Sequence, residues 1–207
     1  KFLRDLAPPR ESSRVSLLLE EFDWRVEADA KRSNLAQLCS DESGWEKVSI
    51  PHYGPPLGRA VTYYRTSFHL TKDMMEKGAL FIRFKGVDYK AHVFVNGAFL
   101  GSHEGFFAPF EFDFTFAAHL WENQLLVMVE NDAICMGNDS WGKDGHLYDG
   151  DKLYAATGPG YDDPEIGWHH CPPGMGIYQD VIVEARSHLH LSDIFVRPMP
   201  EESRAEA

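Results

Sequence analysis

Residues able to do chemistry concentrate in the stretch from Asn131 to Met175, which is rich in Gly, Asp and Pro and shows no sustained periodicity. Asp139, Asp144, Asp149 and Asp151 lie there among glycines, and carboxylate oxygens are the ligands that Ca2+ takes. Their spacing matches no EF-hand loop, so calcium stands as an alternative, and no cofactor is the expectation. His169-His170-Cys171, with His146, offers zinc-type donors. Adjacent residues rarely close a tetrahedral site, however, and C-x-x-C or H-x-x-x-H spacing is absent. Asp162, Asp163, Glu165, Tyr161 and Trp168 put carboxylates beside aromatic rings. Carboxylates accept hydrogen bonds from hydroxyls, and a ring face can cover an apolar surface. There is no Gly-rich phosphate loop between strand and helix and no G-x-S-x-G elbow. A nucleophilic hydrolase built on this chain alone is therefore not expected.

The elements that must position these residues are strands. Two-residue alternation predicts them at Arg14–Leu19, Trp45–Ile50, Thr62–Leu70, Leu80–Lys85, Tyr89–Val95, Phe110–Thr115, Leu125–Glu130, Gly176–Ala185 and His190–Arg197. Asn96-Gly97 predicts a tight hairpin turn after Val95, with Phe99 and Leu100 opening the return strand. Only Thr71–Lys77 and Phe116–Glu122 read as helical turns. Many short strands separated by turns predict an all-β fold, a sandwich or jelly roll, with one long irregular loop. Trp141, Tyr148, Tyr154, Tyr161 and Trp168 are spread through that loop, a density of aromatics that disordered tracts normally lack.

Composition narrows the partners. The formal charge of −12 repels nucleic acid and anionic membrane surfaces and leaves a neutral ligand unopposed. No run approaches the roughly 20 apolar residues of a membrane-spanning helix. Cys39, Cys135 and Cys171 form no disulfide framework. Lys1–Pro9 has no apolar signal core and the sequence does not open on Met. A secretion signal already removed, or a sequence that starts downstream of one, would account for both; the compartment stays open, with a periplasmic or extracellular location slightly favoured over a cytoplasmic one.

Taken in order, the strands and turns carry a resemblance. Trp45–Pro51, Tyr63-Tyr64-Arg65, Gly86-Val87-Asp88 and Val93-Phe94-Val95-Asn96-Gly97 are followed by Gly101–Gly105, Phe110–Thr115 and Asn123–Val129. Then come Gly176-Ile177-Tyr178-Gln179-Asp180-Val181 and Ser192–Val196. The series resembles the N-terminal domain of glycoside hydrolase family 2, which includes β-galactosidases, β-glucuronidases and β-mannosidases. The resemblance implies a galactose-binding-like jelly roll over residues 14–187, after an N-terminal arm at 1–13. Residues 188–207 would begin a truncated immunoglobulin-like domain or a linker. It also implies a retaining β-glycosidase whose two glutamates belong to a downstream barrel, so no catalytic residue is assigned here and the fragment alone is expected to be inactive. In such relatives an aspartate from the loop before the G-I-[WFY] strand contacts the sugar. Asp163 or Asp162, with Trp168 covering the apolar sugar face, is that candidate. Asp88 and Asp113, at strand ends, read as backbone caps, and His103 and Glu104 as structural residues.

The partners implied are a carbohydrate substrate, the downstream domains of the same polypeptide and, because family members often assemble through such domains, a homo-oligomer. Two other functions fit the same pattern: a stand-alone carbohydrate-binding module or lectin-like domain without hydrolase activity, and a spacer that orients its neighbours.

Overall fold

In the computed structural model, residues 14–27, 38, 42–56, 60–105, 107–131, 174–191, 195–199 and 204–206 are described. The strands are β1 Val15–Leu19, β2 Glu21–Glu27, β3 Glu46–Ser49, β4 Ala60–Leu70, β5 Gly78–Phe84, β6 Lys90–Val95, β7 Ala98–Glu104, β8 Phe110–Asp113, β9 Trp121–Asn131, β10 Val181–Ser187, β11 Arg197–Met199 and β12 Arg204–Glu206. A short helix, α1, spans Lys72–Lys77. Among the described residues the strands pair antiparallel, in a six-stranded sheet ordered β3-β2-β4-β9-β6-β7 and a four-stranded sheet ordered β1-β10-β5-β8. From β4 to β10 the chain passes repeatedly from one sheet to the other, which makes the sandwich a jelly roll.

Alternation decides which residues face inward. Tyr64, Phe68 and Leu70 of β4, Leu125, Val127 and Val129 of β9, and Ala91, Val93 and Val95 of β6 meet Leu80, Ile82 and Phe84 of β5 and Val181, Val183 and Ala185 of β10. The aromatic residues lock this core edge to face, as in Phe68 against Phe114 at 5.9 Å between ring centres. A smaller cluster lies on the outer face of the six-stranded sheet, where Val61 and Tyr63 pack with Leu126, Met128 and Leu38. The upper half of β4 is thus apolar on both faces.

Local signals hold at the turns. Asn96 and Gly97 both take positive φ, 51° and 79°, as the hairpin between β6 and β7 requires. Thr71 caps α1 through its hydroxyl, which accepts from the Met74 amide at 3.3 Å, and Gly78 ends the helix in the left-handed region.

Four expectations need correction. Glu21–Glu27 is a strand that pairs with both β3 and β4; its inward Phe22 and Trp24 are hidden in the sequence among Glu, Asp and Arg. Phe116–Glu122 is not a helical turn: a 3-10 turn occupies Thr115–Ala117 and β9 already begins at Trp121. The strand expected from Gly176 starts only at Val181, because residues 174–177 pair with loops. His190, Leu191, Phe195 and Val196 lie outside strands, whereas Arg197–Met199 pairs with Arg204–Glu206. Pro198 does not stop β11, since a two-stranded ribbon leaves one edge where a proline needs no amide partner.

Candidate functional site

One end of the sandwich is built by three connections meeting without helices. The loop after β3 brings His52 and Gly54, the loop between β5 and β6 brings Gly86 to Asp88, and the approach to β10 brings Gly174 to Tyr178. They are laced by backbone bonds: the His52 amide donates to Ile177 O (2.8 Å), Met175 N to Gly54 O (2.9 Å), and Asp88 and Gly176 exchange a reciprocal pair at 2.9 Å each. The middle strand of this lacing demands glycine. A Cβ at Gly176, where φ is +141°, would stand 2.4 Å from the His52 carbonyl oxygen and 2.8 Å from the Tyr64 hydroxyl. At Gly86 a Cβ would meet the Tyr178 ring at 2.6 Å. The glycines of both G-V-D and G-I-Y are therefore spaces into which another residue packs.

The lacing encloses Asp88, a residue only 7% exposed. Tyr53 donates its hydroxyl to Asp88 Oδ2 at 3.1 Å, and the Tyr53 and Tyr178 rings meet edge to face at 6.2 Å. Burial pushes the Asp88 carboxyl up to about 7, against the opposing pull of the Tyr53 hydrogen bond. Burial, and then the Asp88 charge, also raise Tyr178. Beside them His52 Nδ1 and the Tyr64 hydroxyl are 2.8 Å apart, and the Trp24 ring stands 5.0 Å from His52. Burial lowers the His52 pKa and raises that of Tyr64, so both groups stay neutral near pH 7. The part-exposed Tyr53 and Tyr178, set over a buried carboxyl able to donate or accept near neutral pH, suit hydroxyl-rich ligands.

The reading of Asp88 as a backbone cap misses this burial; its side chain bonds Tyr53 instead. Asp113 does cap, accepting from the Thr115 amide at 2.8 Å. His103 stacks on Phe110 at 4.2 Å, which itself stacks on Phe84 at 4.9 Å, and Glu104 pairs with Lys90 at 3.6 Å, as structural roles require. Asp162, Asp163 and Trp168 lie outside the described residues, as do Asp139, Asp144, Asp149, Asp151, His146 and His169–Cys171. The described chain leaves at Asn131, paired with Ala60, and resumes at Gly174, beside Gly54. Glu130 pairs with Lys90, two residues from Asp88, so both points fall at the Asp88 end. Among the described residues no three His, Cys, Asp or Glu side chains converge as metal ligands.

A sequence model described as "Glycosyl hydrolases family 2, sugar binding domain" matches residues 47–158. The chain belongs to this family. It is 31% identical over 177 residues to a β-galactosidase of Thermoanaerobacter pseudethanolicus, covering 80% of this chain and 20% of that protein. It is 28% identical over 195 residues to a β-glucuronidase of Formosa agariphila, covering 82% and 17%. The chain thus spans a fifth or less of the length of these curated relatives. Among solved structures, a β-glucuronidase from an uncultured Clostridium superposes with a TM-score of 0.67 at 19% identity, over 93% of this chain and 32% of that one. Ruminococcus gnavus β-glucuronidase gives 0.61 at 18% identity, over 87% and 30%. These likenesses show the shared fold.

Proposed function

We propose that this chain serves a retaining β-glycosidase as its sugar-binding accessory domain, presenting the Asp88 end to an active site whose nucleophile and acid/base are supplied by other domains of the parent. The observation that carries the reading is the buried carboxyl of Asp88 between Tyr53 and Tyr178, at the end where residues 132–173 leave and rejoin the sandwich. Retaining hydrolysis needs two carboxyl groups about 5 Å apart, one nucleophile and one acid/base. Asp88 has another task. Its carboxyl would accept from, or when protonated donate to, a substrate hydroxyl and so hold the sugar ring in register with that pair. Asp163 or Asp162, with Trp168, remains the proposed contact from the loop itself. The 14–187 sandwich would be one domain and 188–207 the passage to the next. The relatives' names point to β-galactosides and β-glucuronides as the substrates to try first.

The test is hydrolysis of a panel of aryl β-glycosides by the parent enzyme and by the 207-residue chain. The parent is expected to cleave at least one substrate and the chain none. Asp88→Asn and Asp163→Ala in the parent are each expected to lower kcat/KM about 5- to 150-fold, the loss of one sugar contact of about 1–3 kcal/mol. Cleavage by the chain alone, or a parent inert toward the whole panel, would overturn the proposal. An unchanged kcat/KM in either variant would remove that residue from the site.

A further inference from the structure

The outer face of the six-stranded sheet carries a second arrangement that the Asp88 end does not use. Register places Lys47, Asp23, Arg65, Leu126, Phe94 and Phe99 in a single row crossing all six strands, one residue from each. Phe99 joins the row through a bulge: Val93 pairs with Gly101 but Phe94 pairs with Phe99, leaving Leu100 as the extra residue. The row is therefore charged at one end and aromatic at the other. At the charged end Asp23 Oδ1 holds Lys47 at 2.6 Å and its Oδ2 accepts from Arg65 Nε at 3.2 Å. The Arg65 guanidinium lies over the Trp45 ring at 4.2 Å and stands 3.7 Å from Glu42. At the aromatic end Phe94 and Phe99 meet at 5.0 Å, and Phe99 is 54% exposed. The neighbouring row adds Ser67 and Gln124, directly paired across β4 and β9 and both exposed.

Between these ends lies a cavity of about 540 Å3, lined by Asp23, Arg65, Ser67, Gln124 and Phe94 among others. Its size is that of a small-ligand site, and its lining selects the ligand. On the wall two carboxylates, Asp23 and Glu42, outnumber the one cation, Arg65, with Lys47 held by Asp23 outside it, so the wall opposes anions, phosphate and nucleic acid among them. The row crosses the interior strands β4 and β9, which expose no free edge for an added peptide strand. What fits is a neutral molecule with hydroxyls on its rim and an apolar C–H face, namely a pyranose ring. The carboxylate, guanidinium and carboxamide meet the hydroxyls, and the negative face of an aromatic ring meets the C–H bonds.

We infer that this sheet face is a binding site for neutral oligosaccharides, on the face of the sandwich and not at its Asp88 end. The inference stands whether or not Asp88 contacts substrate. The experiment titrates the isotope-labelled 207-residue chain with β-1,4-linked galactotetraose, cellotetraose and xylotetraose, and with trigalacturonate as the charged control, following backbone amides by NMR. Saturable shifts are expected on β4, β9 and β6 around Arg65, Gln124 and Phe94 with at least one neutral sugar, and none with the uronate. Phe99→Ala and Gln124→Ala, both at exposed side chains and checked by thermal melting, are each expected to weaken binding about 3- to 10-fold, the worth of one ring or one hydrogen bond. The inference is overturned by the absence of saturable shifts with all three neutral sugars. It is equally overturned by shifts confined to Asp88 and Tyr178, or by affinities unchanged in both variants.

Discussion

Each sheet of the sandwich carries on its outer face an arginine laid on an aromatic ring and held by carboxylates, yet the two are built to opposite ends. Arg186 of the four-stranded sheet lies over Phe81 at 4.3 Å, donates to Glu184 from Nε and clasps both oxygens of Glu111. Arg14 and Arg83 close round Glu184 at 3.5 and 3.9 Å. Its side chain is 2% exposed and that of Glu184 9%. Arg65 of the six-stranded sheet lies over Trp45 with similar geometry, but it and Asp23 remain 18% and 22% exposed beside an open cavity. The difference lies in closure. The Arg186 network is sealed from solvent at its arginine and at Glu184 and holds strands together; the Arg65 network lies beside a cavity, where a ligand can reach it.

The largest test of that contrast is Arg186→Met against Arg65→Met. Removing Arg186 takes the hydrogen-bonding cation from Glu111 and from Glu184, which keeps only the longer contacts to Arg14 and Arg83, and losing charge-assisted bonds at a 2% exposed arginine costs about 2–3 kcal/mol. Removing Arg65 leaves Asp23 with Lys47 and with water, at about 1 kcal/mol. Urea unfolding at pH 7 measures both, and equal losses would break the contrast. The acid limb sharpens it. Arg186, through its hydrogen bonds and then its charge, outweighs burial and holds the Glu111 carboxyl below its usual range. That contribution is present above pH 4.5 and lost as pH falls through the lowered value, so Arg186→Met should flatten the acid limb of the stability profile.

The next effect separates these networks from the Asp88 end, where a carboxyl is buried without a cation. From pH 3.8 to about 7 the unfolded chain has released the Asp88 proton while the folded chain keeps it. Stability should therefore fall as pH rises across that window, the reverse of the Glu111 slope. Asp88→Asn preserves an acceptor for Tyr53 and removes the ionisation. It should make the chain about 2–4 kcal/mol more stable than the wild type at pH 8 and leave the two nearly alike at pH 4. Parallel profiles for the two proteins would show that Asp88 ionises as freely folded as unfolded.

How much of this the sequence discloses depends on how local each feature is. The hairpin at Asn96-Gly97, the cap at Thr71 and the inward sets of β5 and β6 are legible because their signals lie within a few residues of their effects. β2 is not, because Phe22 and Trp24 alternate with charges whose partners, Lys47 and Arg65, lie on other strands. Asp88 reads as an ordinary strand-end carboxylate, and nothing near it announces burial. The burial comes from Tyr53 and from Gly176, which meet it only after the sandwich closes. The sheet-face row is hidden for the same reason: each of its six residues comes from a different strand, and the bulge at Leu100 that turns Phe99 onto that face has no local sequence mark. The carboxylates and aromatic ring that do stand together in sequence, Asp162, Asp163 and Trp168, lie outside the described residues.

The smallest effect is the most discriminating. Gln124 and Ser67 face each other across β4 and β9 on the exposed side, while the inward neighbours Leu125 and Phe68 carry the packing. The Gln124 amide accepts its structural role through the backbone, donating to Asn96 Oδ1 at 2.8 Å, and this bond survives truncation of its own side chain. Gln124→Ala should therefore change unfolding free energy by no more than about 0.5 kcal/mol while weakening oligosaccharide binding. A binding loss without a stability loss is what a ligand-facing side chain produces. Were the melting temperature to fall in step with affinity, Gln124 would belong with Arg186 as a residue that holds the sheet, and the two outer faces would not differ in kind.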